Sequence, residues 1–276
     1  MPPNCRLYDA HNHLQDLRLA PHREAALAAC RQEGVAKMVV NGSGEEDWPE
    51  VLALARTCPE VIPSFGYHPW YVKERTPGWQ QALLRHLESV PSAIGEVGLD
   101  RWIKDYDSEQ QEEVFVWQLR LAAEHELPVS IHCLQAWGRL LEILRAEPRP
   151  DCGFLLHSYG GPQEMVAPLA ELGAYFSLPG YFAHQRKTRQ RDAFRAVPPD
   201  RLLIETDAPD QLLPLERSRY PLVDVQTGTA INHPANLRAV YQFAADIFNE
   251  PIEALAHRVE ANFHRLFGRL GPVDKA

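Results

Sequence analysis

The chain has no apolar run longer than six residues, even with Gly and Pro counted. That is far short of the roughly 18 needed to span a bilayer, so no membrane partner is expected. Cysteine is sparse. Cys5, Cys30, Cys58, Cys133 and Cys152 are odd in number and lack CxxC spacing, which excludes a disulfide framework and points to a reducing compartment. Basic charge is in deficit, with 28 Lys and Arg against 37 Asp and Glu and a net charge of −9. No global attraction to nucleic acid or anionic lipid follows from such a balance, and an anionic substrate has to be held by a local site. The opening MPPNCRLYDAHNH carries neither the basic region nor the apolar stretch of a secretory signal, and the expectation is a cytoplasmic protein. No repeat, linker or composition shift divides the chain, and nothing points to an obligate protein partner.

What is present is an ordinary globular composition over 276 residues, 45% apolar and 24% charged, read as one domain over residues 1–276. Short β-rich runs predict strands near Leu7–Asp9, Lys37–Asn41, Ile62–Gly66, Ala93–Val97, Val129–His132, Phe154–His157, Ala174–Ser177 and Leu202–Thr206. Between them, Glu24–Glu33, Gln80–Glu88, Glu109–Glu126, Ala136–Ala146 and Met165–Leu172 repeat apolar residues three and four apart, as helices do. Ser108 with Gln111 three residues later predicts a capping box at the start of the third of these. Eight strands alternating with helices over roughly 250 residues match a single (β/α)₈ TIM barrel with its active site at the C-terminal strand ends. An open doubly wound sheet would carry a Gly-rich turn after its first strand, where this chain has His-Asn-His. Ala208–His233 is the longest irregular stretch and reads as a functional cover. Pro234–Phe248 and Pro251–Phe267 close the chain as a helical pair.

The polar residues fall in a telling place. His11 and His13 follow the first predicted strand, Glu96 lies in the fourth, His132 and His157 end the fifth and sixth, and Asp207 follows the eighth. In a barrel all six share one face. His11 and His13 are two apart, so in extended chain both side chains point the same way and can hold one ion. Imidazoles mixed with carboxylates suit Zn²⁺ or Mn²⁺ better than Ca²⁺. Six ligands are too many for one tetrahedral ion and enough for two, with Glu96 as the natural bridge. Two divalent ions outweigh these carboxylates, which favours an anionic substrate such as a phosphodiester, and metal pairs serve displacement at phosphorus.

The stretches Tyr8-Asp9-Ala10-His11-Asn12-His13-Leu14, Gly66-Tyr67-His68-Pro69, Gly95-Glu96-Val97-Gly98-Leu99-Asp100, Ile131-His132-Cys133, Leu156-His157-Ser158-Tyr159-Gly160-Gly161, Glu205-Thr206-Asp207-Ala208-Pro209 and Asn232-His233-Pro234-Ala235-Asn236-Leu237 together resemble the TatD family of metal-dependent deoxyribonucleases, within the amidohydrolase-like barrels. They run over most of the chain. The resemblance implies a (β/α)₈ fold, two divalent ions (Mg, Mn or Zn) and hydrolysis of DNA, often from the 3′ end. It implies His11, His13, Glu96 and Asp207 on one ion and Glu96, His132 and His157 on the other, with Glu96 and Asp207 catalytic and Asp207 taking the proton of the attacking water. Three positions depart from the family's pattern. No Arg follows His132 closely, Ser158-Tyr159 stands where Cys-Phe is usual, and His233 stands where Glu is usual. These departures leave the metal ligands alone and bear on the substrate.

Other residues have two readings. His68, before Pro69, is a substrate contact or part of a structural turn. Glu205 orients a ligand histidine from behind or is a polar member of the barrel layers. Trp70, Tyr71 and Trp137 either stack bases near the site mouth or serve in packing, and Cys133 reads as an inert core thiol. The basic run Arg186, Lys187, Arg189, Arg191 and Arg195 contacts nucleic acid or is the solvated face of a helix before the eighth strand. Besides a nuclease, the same scaffold suits a metal-dependent hydrolase of a small-molecule amide, lactone or phosphate ester. A non-catalytic interaction module fits the complete ligand set poorly.

Overall fold

The computed structural model describes residues 5–270. Eight parallel strands form one sheet in sequential order: β1 (Leu7–Asn12), β2 (Val35–Asn41), β3 (Val61–Phe65), β4 (Ala93–Asp100), β5 (Val129–Leu134), β6 (Phe154–Leu156), β7 (Ala174–Pro179) and β8 (Leu202–Glu205). Helices α1 (Arg23–Glu33), α2 (Trp48–Thr57), α3 (Trp79–Ser89), α4 (Ser108–His125), α5 (Trp137–Ala146), α6 (Val166–Glu171) and α7 (Thr188–Arg195) make the crossovers. Helices α8 (Leu237–Phe248) and α9 (Ile252–Phe267) follow β8. This is the expected (β/α)₈ barrel, its strands buried except at Ala36 and Lys37 of β2 and Leu134 of β5, as parallel strands covered by helices are. Among the described residues no helix is long and apolar enough to cross a membrane.

Where β1 meets β8 the barrel is sewn largely by a side chain. The Asp9 carboxylate accepts from the Thr206 backbone N–H at 3.0 Å and the Thr206 hydroxyl at 2.6 Å. Just above, the Asp207 N–H donates to the His11 carbonyl at 3.0 Å and the His13 N–H to the Ala208 carbonyl at 2.7 Å. Burial pushes the Asp9 carboxyl up to about 7 against these donors.

Several boundaries differ from the sequence expectation. Strand β1 continues to Asn12 and β5 to Leu134, because the main-chain ladder (Asn12 opposite Val40, Asp100 opposite Leu134) runs on past the apolar pattern. The cap of α4 is Asp107, not Ser108: its carboxylate accepts from the Gln110 N–H at 3.0 Å and the Gln110 side chain at 2.8 Å. Gln111 is instead buried, exchanging hydrogen bonds with the Asp100 backbone at 3.0 Å. Helix α2, with Pro49 in its first turn, was not among the expected segments. The long segment after β8 contains a short antiparallel hairpin, β9 (Leu222–Val223) with β10 (Ala230–Ile231).

The basic run spans a 3₁₀ turn and α7 before β8, as the solvated-face reading expects. Arg191 caps local carbonyls of Phe182 and His184 at 2.8 and 2.7 Å, and Arg195 pairs with Asp192.

Candidate metal centre

All six candidate ligands converge at the C-terminal end of the barrel. His11 comes from β1, with His13 just beyond it. Glu96 comes from β4 and His132 from β5, while His157 and Asp207 follow β6 and β8. Gly98 allows β4 to approach β5 here. It sits at φ +137°, and a Cβ on it would stand 2.1 Å from the His132 carbonyl oxygen, a position only glycine can fill. Asp207 adopts a left-handed φ of 52°, which aspartate tolerates.

The side chains form two clusters that share Glu96. In the first, His11 Nε2 lies 3.3 Å from His13 Nε2, 3.5 Å from Glu96 Oε2 and 3.7 Å from Asp207 Oδ1. His13 Nε2 lies 3.3 Å from Glu96 Oε2 and 3.5 Å from Asp207 Oδ1. In the second, Glu96 Oε1 lies 2.8 Å from His132 Nδ1 and 2.7 Å from His157 Nε2, which are 3.1 Å apart. Donors about 2.0–2.2 Å from a common ion stand about 3.0–3.5 Å from one another; the first cluster, at 3.3–3.7 Å, is close to those dimensions, and the second, at 2.7–3.1 Å, is drawn in to hydrogen-bond length.

The imidazole hydrogen bonds agree with that fit. His13 Nδ1 faces the Asn41 carbonyl at 2.8 Å, which only an N–H can satisfy, and the neutral ring therefore turns a bare Nε2 inward. His132 Nε2 faces the Asp100 carboxylate at 2.8 Å, leaving Nδ1 bare. His11 Nδ1 is held by the Ser130 hydroxyl at 2.8 Å. Lone pairs and carboxylate oxygens facing one another repel unless a cation lies between them. Protons can take that part. Although burial opposes it, hydrogen bonds to Asp207 and Glu96 push His13 well up, and those to Asp100 and Glu96 push His132 up to about 9. Burial brings His11 down to about 3. Against the penalty of burial, the surrounding histidines, His68 and His157 foremost, hold Glu96 well below the usual carboxylate range. An entering ion displaces such protons.

His68 is different. Its Nε2 lies 3.2 Å from Glu96 Oε1, yet its Nδ1 accepts from the Trp70 backbone N–H at 3.1 Å. A neutral His68 therefore carries its proton on Nε2 and presents a donor to the site, not a lone pair. Glu205 lies beside the ligands. Its two oxygens accept from Ser158 and Ser177 at 2.5 Å each, and Oε1 stands 3.9 Å from His157 Nδ1, beyond hydrogen-bond reach. Burial, with the charge of Asp207 adding to it, pushes Glu205 well up against both serines.

Asp100, Ser130 and Asn41 support the ligands but were not singled out in the sequence. Asp100 lies four residues beyond Glu96 on β4 and Ser130 two before His132 on β5, so strand alternation carried the signal for both. Asn41 acts through its carbonyl, which no residue type marks. Trp137 moves to the packing reading, since its ring meets Tyr159 edge-on at 4.7 Å. His233 caps the turn before α8, its Nδ1 accepting from the Ala235 N–H at 2.9 Å.

A (β/α)₈ barrel with buried imidazoles and carboxylates gathered at its C-terminal strand ends defines a metal-dependent hydrolase. The particular family follows from comparison: residues 8–268 match that of the TatD related DNases, and the chain belongs to it. It is 34% identical over 267 residues to "3'-5' ssDNA/RNA exonuclease TatD" of Erwinia tasmaniensis, covering 95% of this chain and 99% of that relative. It is 29% identical over 266 residues to "Uncharacterized metal-dependent hydrolase YjjV" of Escherichia coli K12, covering 95% and 98%. The crystal structure of that E. coli YjjV superposes with a TM-score of 0.86 at 27% identity, covering 96% of this chain and 98% of the other.

Proposed function

We propose that this protein is a nuclease that hydrolyses DNA phosphodiester bonds inward from a 3′ end. In this reading His11, His13, Glu96 and Asp207 hold one divalent ion, and Glu96, His132 and His157 hold a second, as Mg, Mn or Zn. The observation that carries it is the division of Glu96 between two clusters, Oε2 facing His11 and His13 and Oε1 facing His132 and His157. When bound, such an ion pair polarises the phosphoryl oxygen and lowers the pKa of water.

The chain's own groups have separate tasks. Burial opposes ionisation of Asp207, but the His13 hydrogen bond and the charges of His157 and His11 keep its pKa low. It is thus ionised and able to take the proton of the attacking water. With Oδ1 turned to the two imidazoles, Oδ2 is the accepting oxygen. His68 Nε2–H donates to a phosphoryl oxygen, a contact suited to an anionic substrate. Asp100 fixes the ring of His132, and the barrel wall around Glu96 keeps bulk water from its carboxylate.

The test is a panel of single-stranded DNA, duplex DNA, RNA and small esters, each assayed with Mg²⁺, Mn²⁺ and Zn²⁺. Shortening of single-stranded DNA from its 3′ end is the expected result. Turnover confined to small esters would replace this reading with the small-molecule hydrolase. Asp207→Asn keeps size and one oxygen but cannot act as base, and is expected to be at least about 100-fold slower at saturating Mn²⁺, with at least one ion retained by elemental analysis. Recovery of near wild-type turnover in excess Mn²⁺ would make Asp207 a ligand only.

A further inference from the structure

Every exposed aromatic side chain among the described residues lies in one sector of the barrel. Trp70 (43% exposed) and Tyr71 (38%) follow β3, and Trp102 (64%) and Tyr106 (41%) follow β4. The remaining tryptophans, phenylalanines and tyrosines are buried or half-buried. Trp70 and Tyr71 each meet the His68 ring, at centroid distances of 5.2 and 5.8 Å, and still leave much of their surface to solvent.

The sector is tied to the metal centre through one carboxylate. Asp100 Oδ2 accepts from His132 Nε2 at 2.8 Å and from the Trp70 indole N–H at 2.7 Å. Its Oδ1 accepts from the backbone N–H groups of Trp102 and Ile103 at 2.7 and 3.2 Å. The Trp70 backbone N–H is itself spent on His68 Nδ1. A further bond joins the two loops, from Lys73 Nζ to the Asp105 carbonyl at 2.6 Å. The Trp70 side chain is therefore held by its indole N–H beside the candidate ligands while remaining partly exposed, and the start of the Trp102 loop is anchored to the same group.

We infer that Trp70 and Trp102, with Tyr71, form a stacking platform for unpaired nucleobases of a strand whose phosphodiester lies at the Glu96 clusters. This rests on the nuclease reading and adds to it where the bases go. A fixed aromatic face accepts any base, whereas a paired base inside a duplex cannot offer its face to it. Stacking of this kind gives about five- to 150-fold per base. A preference for unpaired ends would then follow from the shape of the rim, separately from the chemistry below it.

The test compares two single-stranded oligonucleotides of equal length with the loaded wild-type enzyme, one carrying every base and one abasic over its three 3′-terminal positions. The platform predicts a KM at least about fivefold lower for the base-bearing strand. Trp102→Ala should cut that preference at least about fivefold, and Trp102→Phe, which keeps a ring, should restore most of it. Equal KM values for the two strands in the wild type would overturn the platform while leaving the nuclease reading intact, as would full retention of the preference in Trp102→Ala. Hydrolysis of neither strand would remove the nuclease reading and the platform with it.

Discussion

The two donor clusters share Glu96 yet are built in different ways. The first has four donors, two of them anionic, and its histidines are steadied from behind by neutral groups, the Ser130 hydroxyl and the Asn41 carbonyl. The second has three donors, with Glu96 alone anionic, and its His132 is backed by the full charge of Asp100. His157 Nδ1 has no hydrogen-bond partner among the described residues. Where donors are plentiful, neutral partners suffice to aim the rings. Where they are few, a carboxylate behind the imidazole raises its basicity and supplies what the first coordination layer lacks. The first cluster should thus hold its ion tightly, and the second should be the one that empties.

The largest effect should come from the residue common to both. Glu96→Gln keeps the shape but removes the shared charge, and is expected to cost at least about 10³-fold in kcat/KM, about 4 kcal/mol. Metal content after reconstitution should fall from two ions per chain to one or fewer by elemental analysis. Retention of two ions with near wild-type activity would break the idea of a shared carboxylate. Of the two clusters, Asp100→Asn should affect only the second, weakening one ion about 10- to 100-fold, while also loosening the Trp70 indole that shares the carboxylate. In a Mn²⁺ titration of activity only the weaker midpoint should move, and equal movement of both would mean that the clusters do not differ as described. The smallest effect is expected from Glu205→Gln, less than about tenfold in turnover with both ions kept, because Glu205 meets serines and no candidate ligand. Metal loss matching that of Glu96→Gln would put Glu205 among the donors.

The barrel was legible because parallel strands covered by helices leave continuous apolar runs, and all eight stood out. The convergence of His11, His13, Glu96, His132, His157 and Asp207 was legible for a related reason: their places at strand ends become one face once the sheet closes. What escaped depended on contacts that carry no local pattern. Asp107 and Asp100 each compete for the residues around Ser108, and tertiary demand on Gln111 moved the cap by one position. The proton on His68 was legible only from the Trp70 backbone. Trp102 and Tyr106 sit in a loop without periodicity, where sequence offers exposure no signal.

The Asp9 seam has a consequence for how the protein comes to exist at all. Asp9 and Thr206 are 197 residues apart, so joining the first strand to the last closes most of the chain into one loop, a long-range contact with an entropic cost. His11 and His13 stand on one side of that seam and Asp207 on the other. Their cluster has no counterpart in the unfolded chain, and any ion gripped there acts as a clasp between the two ends of the sheet. Such an occupant at about 100 times its Kd would stabilise the closed barrel by about 2.7 kcal/mol. Removal of such an ion should then lower the stability of the barrel as well as its activity.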